Sequence, residues 1–408
     1  MADTNKGLDR RKFLAASISG VVTAGLTGLS PHDAIGQDSS KSQDDAKKDI
    51  IYRQLGKTGM KIPIVSMGVG AVAHPELIQA AYEKGIRHFD TAANYQYGRN
   101  EQMVGNVIQK LGVRDEVVIA TKGFIPRQRQ ALKPENAKQQ IESLMDGSLK
   151  RLKTDYVDIL YLHDVSNPLE VNDPMLIEGL HYLKEKKKVR AIGISTHANM
   201  ADVIEEAVDG GNYDVVLTAI NFTMADDERL LKAIENAASK GIGFVAMKTL
   251  AGGSRWPNPE SRHNYSNSTI IKAAMKWVMR NKNITTCIPG FESYDHLNED
   301  FAIATDLEYN PEEKQLLEDN NIVLSLGFCR QCRQCLATCP HNVDIPTLMR
   351  TYMYAAQYAD FYLARETLKS IPKENGLNPC KDCSSCIAQC ANSVDIPFKI
   401  GELKLMYA

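Results

Sequence analysis

The chain has no excess of either charge. Its 48 Lys and Arg stand against 50 Asp and Glu, a formal net charge of −2, which leaves no basic footprint for nucleic acid. It also lacks a strongly apolar run of the roughly twenty residues that cross a bilayer. The nearest approach, from Leu14 to Leu29, is shorter and softened by Ser, Gly and Thr. No G-x-G-x-x-G follows the first apolar run, which argues against a doubly wound dinucleotide-binding sheet, and no flavin fingerprint is present. Cysteine is almost missing from the first four-fifths of the chain: Cys287 stands alone there, and the other eight of nine lie between positions 329 and 390.

Those eight form two copies of C-x2-C-x2-C-x3-C: Cys329, Cys332, Cys335, Cys339, then Cys380, Cys383, Cys386, Cys390. Gaps of two residues let one tight loop offer three thiolates to a cube of iron and sulfur, with a fourth arriving from further away. Structural zinc usually takes two separated pairs, and disulfides are the default for an exported chain. The unbroken runs therefore predict two [4Fe–4S] clusters. Val343-Asp344-Ile345-Pro346 after the first run is echoed by Val394-Asp395-Ile396-Pro397 after the second, an internal repeat. Between them, Ile345–Leu363 reads as helix. Cys287 reads as a small buried hydrophobe.

The middle of the chain alternates. Short β-branched runs at Ile62–Gly68, Arg87–Thr91, Val117–Thr121, Tyr156–Leu162, Val189–Ser195, Val215–Asn221, Gly243–Lys248 and Thr285–Pro289 read as strands. Helix-spaced stretches lie between them, at Glu76–Lys84, Glu101–Leu111, Pro134–Leu152, Ile177–Lys186, Asp227–Ser239 and Ile270–Arg280. The pattern predicts an α/β fold, a (β/α)8 TIM barrel, followed by a small, mainly helical domain. In such a barrel the active site lies at the carboxyl ends of the strands. The second strand runs into Asp90, with Tyr95 five residues on; the third delivers Lys122 and the fourth His163. A lysine ammonium beside a phenol lowers its pKa, a carboxylate holds that lysine, and a histidine orients a carbonyl. Together these make a general acid for an oxyanion that develops as hydride arrives.

Gly85-Ile86-Arg87-His88-Phe89-Asp90-Thr91-Ala92 with Tyr95, Glu101 and Gly105 resembles the hallmark stretch of the aldo/keto reductase family. Ala120-Thr121-Lys122, Asp158 to His163, Ile192 to Ser195, Val245 to Lys248 and Ile288-Pro289-Gly290 match its later blocks, so the resemblance covers about residues 51–305. It implies Tyr95 as proton donor, with Asp90, Lys122 and His163 completing a tetrad. It also implies a small carbonyl or alcohol substrate and a nicotinamide cofactor, usually NADPH, across the barrel mouth. The nicotinamide would be held by Ser195, Thr196, Met247 and Lys248, and the nucleotide's far end by the Gly290–His296 loop. The usual Ser-Asn is Ser195-Thr196 here, the glutamine of strand six is missing, with Thr218 or Asn221 as substitutes, and Met247 replaces a stacking aromatic. The last loop has Glu292 and no Lys or Arg for a 2′-phosphate, so NAD(H) is as well supported as NADP(H).

The tail resembles the helical two-cluster ferredoxin modules of respiratory enzymes. If the cysteines swap as in those modules, one cluster takes Cys329, Cys332, Cys335 and Cys390, the other Cys380, Cys383, Cys386 and Cys339. At the other end, Asp9-Arg10-Arg11-Lys12-Phe13-Leu14 before the weak apolar stretch resembles a bacterial twin-arginine export signal. The expected order is a signal at 1–30, a polar linker at 31–50, the barrel at 51–315 and the ferredoxin-like domain at 316–408. The expected location is the periplasm, reached through the twin-arginine machinery; Ala34-Ile35-Gly36 fits a cleavage site only loosely, which leaves retention as an anchor open. Three functional readings stand at this point: a reductase with structural clusters, a reductase whose clusters relay electrons to a redox partner protein, and a redox-sensing or electron-transfer module whose barrel binds without turnover.

Overall fold

The computed structural model describes residues 49–252, 265–319, 327–381 and 383–407. The expected signal, nearly all of the linker, and Trp256 of the loop after the seventh barrel strand lie outside the described residues.

Among the described residues there are ten strands. β1 (Tyr52–Gln54) and β2 (Lys61–Pro63) form an antiparallel hairpin. The other eight, β3 (Met67–Gly68), β4 (His88–Asp90), β5 (Val118–Gly123), β6 (Val157–Leu162), β7 (Val189–Thr196), β8 (Val215–Ala219), β9 (Gly243–Met247) and β10 (Thr286–Cys287), are parallel and lie in chain order in one sheet. Bridges from Val65 to Cys287 and from Gly68 to Gly290 join its first and last strands, which closes the barrel. Helices fall between successive strands, with buried faces such as Leu77, Ile78 and Ala81 in Pro75–Lys84. The right-handed β-α-β succession explains why each strand reads as an almost uninterrupted apolar run: helices cover one face and the barrel interior the other.

One expected strand, Ile62–Gly68, is divided. Its first part pairs with β1 in the hairpin and its second enters the barrel. Leu55, at the hairpin's tip and fully buried, packs against Gly243, where a Cβ would come within 2.6 Å of the leucine. Gly243 begins β9, so the hairpin plugs the amino end of the barrel. Arg53 fastens it there by donating to the carbonyls of Met279, Asn281 and Ile284.

Beyond β10, the helix Pro311–Glu318 still belongs to the barrel. Leu316 and Leu317 lie in its core, and the Glu313 carboxylate receives the Lys276 ammonium. The tail has a second small core of Val343, Ile345, Leu348, Ile371, Val394, Ile396 and Leu403. The sequence repeat now has a physical meaning. In each copy Val and Ile are buried pins, while the Asp between them caps a helix: Asp344 accepts from Thr347 N–H and Asp395 from Phe398 N–H. The stretch expected as one helix, Ile345–Leu363, is broken. An α-helix over Ile345–Tyr352 passes into a π-turn at Met353–Gln357, Ala359 is left-handed at φ 51°, and Asp360 caps a new helix, Phe361–Lys369.

Candidate active site at the barrel mouth

The parallel register sets the tetrad. Asp90 ends β4, Lys122 lies near the end of β5 and His163 follows β6 directly, so all three reach the same end of the barrel. Tyr95 sits in a tight turn after β4, where Gln96 and Tyr97 are both left-handed, at φ 48° and 58°. The Lys122 ammonium donates to the Asp90 carboxylate and, at 2.8 Å, to the Thr91 carbonyl. It lies 5.0 Å from the centre of the Tyr95 ring, and that ring meets His163 edge-on at 6.0 Å. Glu101, fully buried, accepts from Thr121 Oγ1 and pairs with Arg151, which fixes the strand residue next to Lys122. Gly105 lets the helices close on this network, since a Cβ there would stand 2.5 Å from the Leu152 backbone. Further left-handed residues, Phe124, Asp164 and Lys248, follow β5, β6 and β9. Strained backbone concentrated at strand ends is a mark of a working site.

The electrostatics depart from expectation at Tyr95. Burial, then the charges of Asp90, Asp360 and Asp164, raise the phenol's pKa rather than lowering it. Lys122 does not counter this because its ammonium is spent on Asp90 and faces the ring. Burial also pushes Asp90 up and Lys122 down, each opposed by the other's charge. Burial and the nearby Lys122 bring His163 down to about 3, so its ring is neutral at ordinary pH, and its Nδ1 has no partner among the described residues.

The tail lies over this mouth. The Arg350 guanidinium grips the Asp164 carboxylate with two bonds, 2.8 and 3.0 Å. One turn on, the Tyr354 hydroxyl accepts from Lys248 Nζ at 2.9 Å, and the ammonium lies over the same ring. Tyr362 donates to the Asn94 carbonyl and stacks on Tyr97, both beside Tyr95. Arg330 pairs with Asp226 after β8. Gly252, at φ 75°, faces Gln357, Met353 and Phe328, each of which a Cβ would meet at 3.0 Å.

The cysteines group as the swap requires. Cys329, Cys332, Cys335 and Cys390 line one cavity with about 320 Å³ of empty space, part of it open to solvent. Asn392 spans that set, donating from its backbone to Cys390 Sγ and from its side chain to Cys332 Sγ. Burial and the neighbouring thiols push Cys329 up to about 12. Cys380, raised to about 11 by burial, lies within electrostatic reach of Cys339, Cys383 and Cys386. Neither set is tight: among the described residues no three or more such side chains converge closely enough for a single ion. Cys287, by contrast, is fully buried at the barrel seam.

Comparison with known proteins now decides the family. The sequence profile of the aldo/keto reductase family matches residues 71–321, and that of a 4Fe-4S dicluster domain matches residues 328–395. The chain is a member of the aldo/keto reductase family. It is 28% identical over 306 residues to L-galactose dehydrogenase of Arabidopsis thaliana, covering 67% of this chain and 94% of that protein. It is 23% identical over 322 residues to L-glyceraldehyde 3-phosphate reductase of Escherichia coli (strain K12), covering 64% and 90%. Among solved structures, the holo form of an aldo-keto reductase from Bacillus halodurans shares the fold, with TM-score 0.53 and 24% identity over 68% of this chain and 96% of that one.

At positions the resemblance assigns to a nicotinamide, several side chains of this aldo/keto reductase bond within the protein. The Ser195 hydroxyl accepts from Asp164 N–H and donates to the Leu162 carbonyl, and the Thr196 hydroxyl donates to the Ala198 carbonyl. Asn221 is spent on Lys248 O and Thr223, while Thr218 Oγ1 is buried without a partner among the described residues. Met247 is buried at the end of β9, with Lys248 beyond it engaged by Tyr354. Gly290 is exposed beside Gly68, and His296 Nδ1 accepts from Glu292 N–H. Tyr358 of the tail lies within electrostatic reach of Glu292. The tail thus contacts Lys248 and lies within electrostatic reach of the last loop. Arg350, Tyr354, Asp164 and His197 were not singled out from sequence. Only the i, i+4 spacing of Arg350 and Tyr354 in an unusually Tyr- and Met-rich stretch hinted at a shared face.

Proposed function

We propose that the chain is an oxidoreductase that interconverts a carbonyl and an alcohol at Tyr95, exchanging electrons through the clusters of its tail. The observation that carries this reading is a shared chamber. Cys329, Gln331 and Arg350 of the tail line the same space as His197 and Lys248 of the barrel, with about 410 Å³ empty, part of it open to solvent. The two cysteine sets would hold [4Fe–4S] clusters, which would supply electrons one at a time, two for each carbonyl reduced, with one proton reaching oxygen from Tyr95 and a second reaching carbon from solvent. Tyr95, its pKa raised, stays protonated at neutral pH and supplies the proton to the carbonyl oxygen. Neutral His163 offers a hydrogen bond rather than a charge, and Lys122 with Asp90 forms a charge-balanced pair beneath them.

Relatives named for L-galactose and L-glyceraldehyde 3-phosphate support a small hydroxylated substrate. In this reading a nicotinamide reaches Tyr95 only with the tail displaced, so nucleotide binding and tail docking exclude one another, and a redox partner protein supplies or removes the electrons. The paired arginines at Arg10 and Arg11 support export of the folded, cluster-loaded protein to the periplasm. Anaerobic mixing of dithionite-reduced, desalted protein with a panel of small hydroxylated aldehydes tests the proposal. Cluster reoxidation that Tyr95→Phe abolishes is expected. Reoxidation unchanged in Tyr95→Phe would remove Tyr95 from the chemistry, and no reoxidation by any aldehyde would remove the electron path.

A further inference from the structure

Asp90, Lys122 and His163 are set by strands, whereas Tyr95 stands on the short turn Tyr95–Gly98. Gln96 and Tyr97 in that turn are consecutive and both left-handed, at φ 48° and 58°. Side chains larger than glycine rarely adopt that conformation, and two in succession persist only where their surroundings hold them. Two grips do so. On the barrel side, Gln96 Nε2 donates to the Gly70 and Val72 carbonyls, at 3.2 and 2.9 Å. The Tyr95 ring packs on the same loop, since a Cβ on Gly70 would meet it at 3.0 Å. The second grip comes from the tail.

The Asn94 carbonyl closes the turn by accepting from Tyr97 N–H at 3.3 Å, and it also accepts from the Tyr362 hydroxyl at 3.1 Å. The Tyr362 ring lies against that of Tyr97, with centroids 4.1 Å apart and a tilt of 50°. Tyr97 is 73% exposed, so few other groups hold its ring. The two contacts bracket the acid in the chain, Asn94 directly before Tyr95 and Tyr97 two residues after it. Tyr362 lies in the first turn of the helix Phe361–Lys369, which Asp360 caps by accepting from Leu363 N–H. The Asp360 charge reaches the Tyr95 phenol, which brings the whole helix end close to the acid.

We propose that Tyr362 is a positioning residue: it locks residues 94–97 in their left-handed form and so fixes the Tyr95 hydroxyl where it delivers its proton. The inference rests on the assignment of Tyr95 as the acid, made above, and deepens it. Tyr362 acts through Asn94 and Tyr97, with no contact to substrate required. The tail then serves the mouth twice, its clusters supplying electrons and its helix setting the acid. A turn released from this grip relaxes toward ordinary backbone angles, and a displacement of about 1 Å at a reacting group costs as much as roughly a hundredfold in rate.

The test compares the full, cluster-loaded chain as wild type, Tyr362→Phe and Tyr362→Ala, by hydrogen exchange and by anaerobic reoxidation of dithionite-reduced clusters. The oxidants are the small hydroxylated aldehydes and, separately, cytochrome c, which takes electrons without a proton donor. Tyr362→Ala should slow the aldehyde reaction by about ten- to a hundredfold and leave the cytochrome c reaction unchanged. Its solvent deuterium isotope effect should rise, because proton delivery becomes the slow part of the step. Exchange over residues 93–99 should quicken at least about tenfold, while residues 345–352 keep the wild-type rate. Tyr362→Phe keeps the stack and loses one hydrogen bond, so it should fall between the two. Unchanged exchange over 93–99 in Tyr362→Ala overturns the proposal, as does faster exchange with an unchanged aldehyde rate and isotope effect. Faster exchange over 345–352, or a slower cytochrome c reaction, also overturns it by making Tyr362 a docking residue only. A wild type whose clusters no aldehyde reoxidises would count against the oxidoreductase reading alone, and exchange over 93–99 would still decide whether Tyr362 holds the turn.

Discussion

The two ends of the barrel are made by the same eight strands, yet they treat polar groups differently. At the amino end, Asp158 is fully buried and fully used: one carboxylate oxygen accepts from Ile119 N–H and pairs with Arg114, the other pairs with Arg190. Arg53 gives three hydrogen bonds to carbonyls in the same region. At the carboxyl end, His163 Nδ1, His197 Nδ1, Asp90 Oδ2 and Thr218 Oγ1 are buried without partners among the described residues, and left-handed residues cluster. His88, one layer beneath Asp90 on the same face of β4, shares this poverty in both ring nitrogens. Complete satisfaction serves stability, while capacity left over beside a tetrad serves a ligand.

Substitutions sharpen that contrast. Tyr95→Phe should cut turnover of a carbonyl substrate by about two to four powers of ten with an unchanged melting curve, as measured by steady-state assay and calorimetry. Asp158→Ala should do the opposite. Losing the buried carboxylate leaves the Ile119 N–H without its acceptor and Arg114 without its pair, at about 2–4 kcal/mol, while solvent-exposed Arg190 adds little; the loss is read in denaturant unfolding, and the folded fraction keeps its activity per molecule. A smaller change is expected for Arg350→Ala, which leaves Asp164 without its partner and costs about 1–3 kcal/mol. That loss should appear as faster hydrogen exchange over residues 345–369 with the barrel strands unaffected.

A further effect is one of pH. Burial and the Arg350 charge, with Lys122 adding and Asp164 opposing, bring Lys248 down to about 7 from 10.5; Tyr354 is its hydrogen-bond partner. Because the folded pKa is below the unfolded one, the unfolded chain binds more protons between these values, so this group makes stability rise with pH across that window. The penalty is complete below about 7. Lys248→Met should flatten the difference in unfolding free energy between pH 7 and 10, with the wild type gaining relative to the variant as pH rises. A wild-type curve parallel to the variant's would show that Lys248 is not buried as a cation.

What could be read in the sequence was what depends on local order. Asp90, Lys122 and His163 were legible because each closes a strand, and a parallel barrel sends all strand ends to one mouth. The cysteine sets were legible because their spacing and repeat are local. The hairpin was not: Ile62–Gly68 is one apolar run, and nothing in it says that Lys61–Pro63 turns back onto Tyr52–Gln54. The break after Tyr352 was hidden because Met353–Gln357 keeps a helical composition while Asp360 starts a new helix. The cover over the mouth was the least visible, since Arg350 meets Asp164 and Tyr354 meets Lys248 across more than a hundred residues. Burial raised the Tyr95 pKa against expectation, with the charges of Asp90, Asp360 and Asp164 adding to it.

Mutual exclusion between tail and nucleotide is the centre of this account. The measurement that tests it most directly is an anaerobic titration of cluster-loaded wild type and Arg350→Ala with NADH and then NADPH, following nucleotide fluorescence and cluster absorbance together. The account predicts weak binding and no bleaching in the wild type, with affinity at least about tenfold higher in Arg350→Ala, because a site hidden in most molecules loses apparent affinity by the hidden fraction. Wild-type protein that binds either nucleotide as tightly as the variant would contradict it.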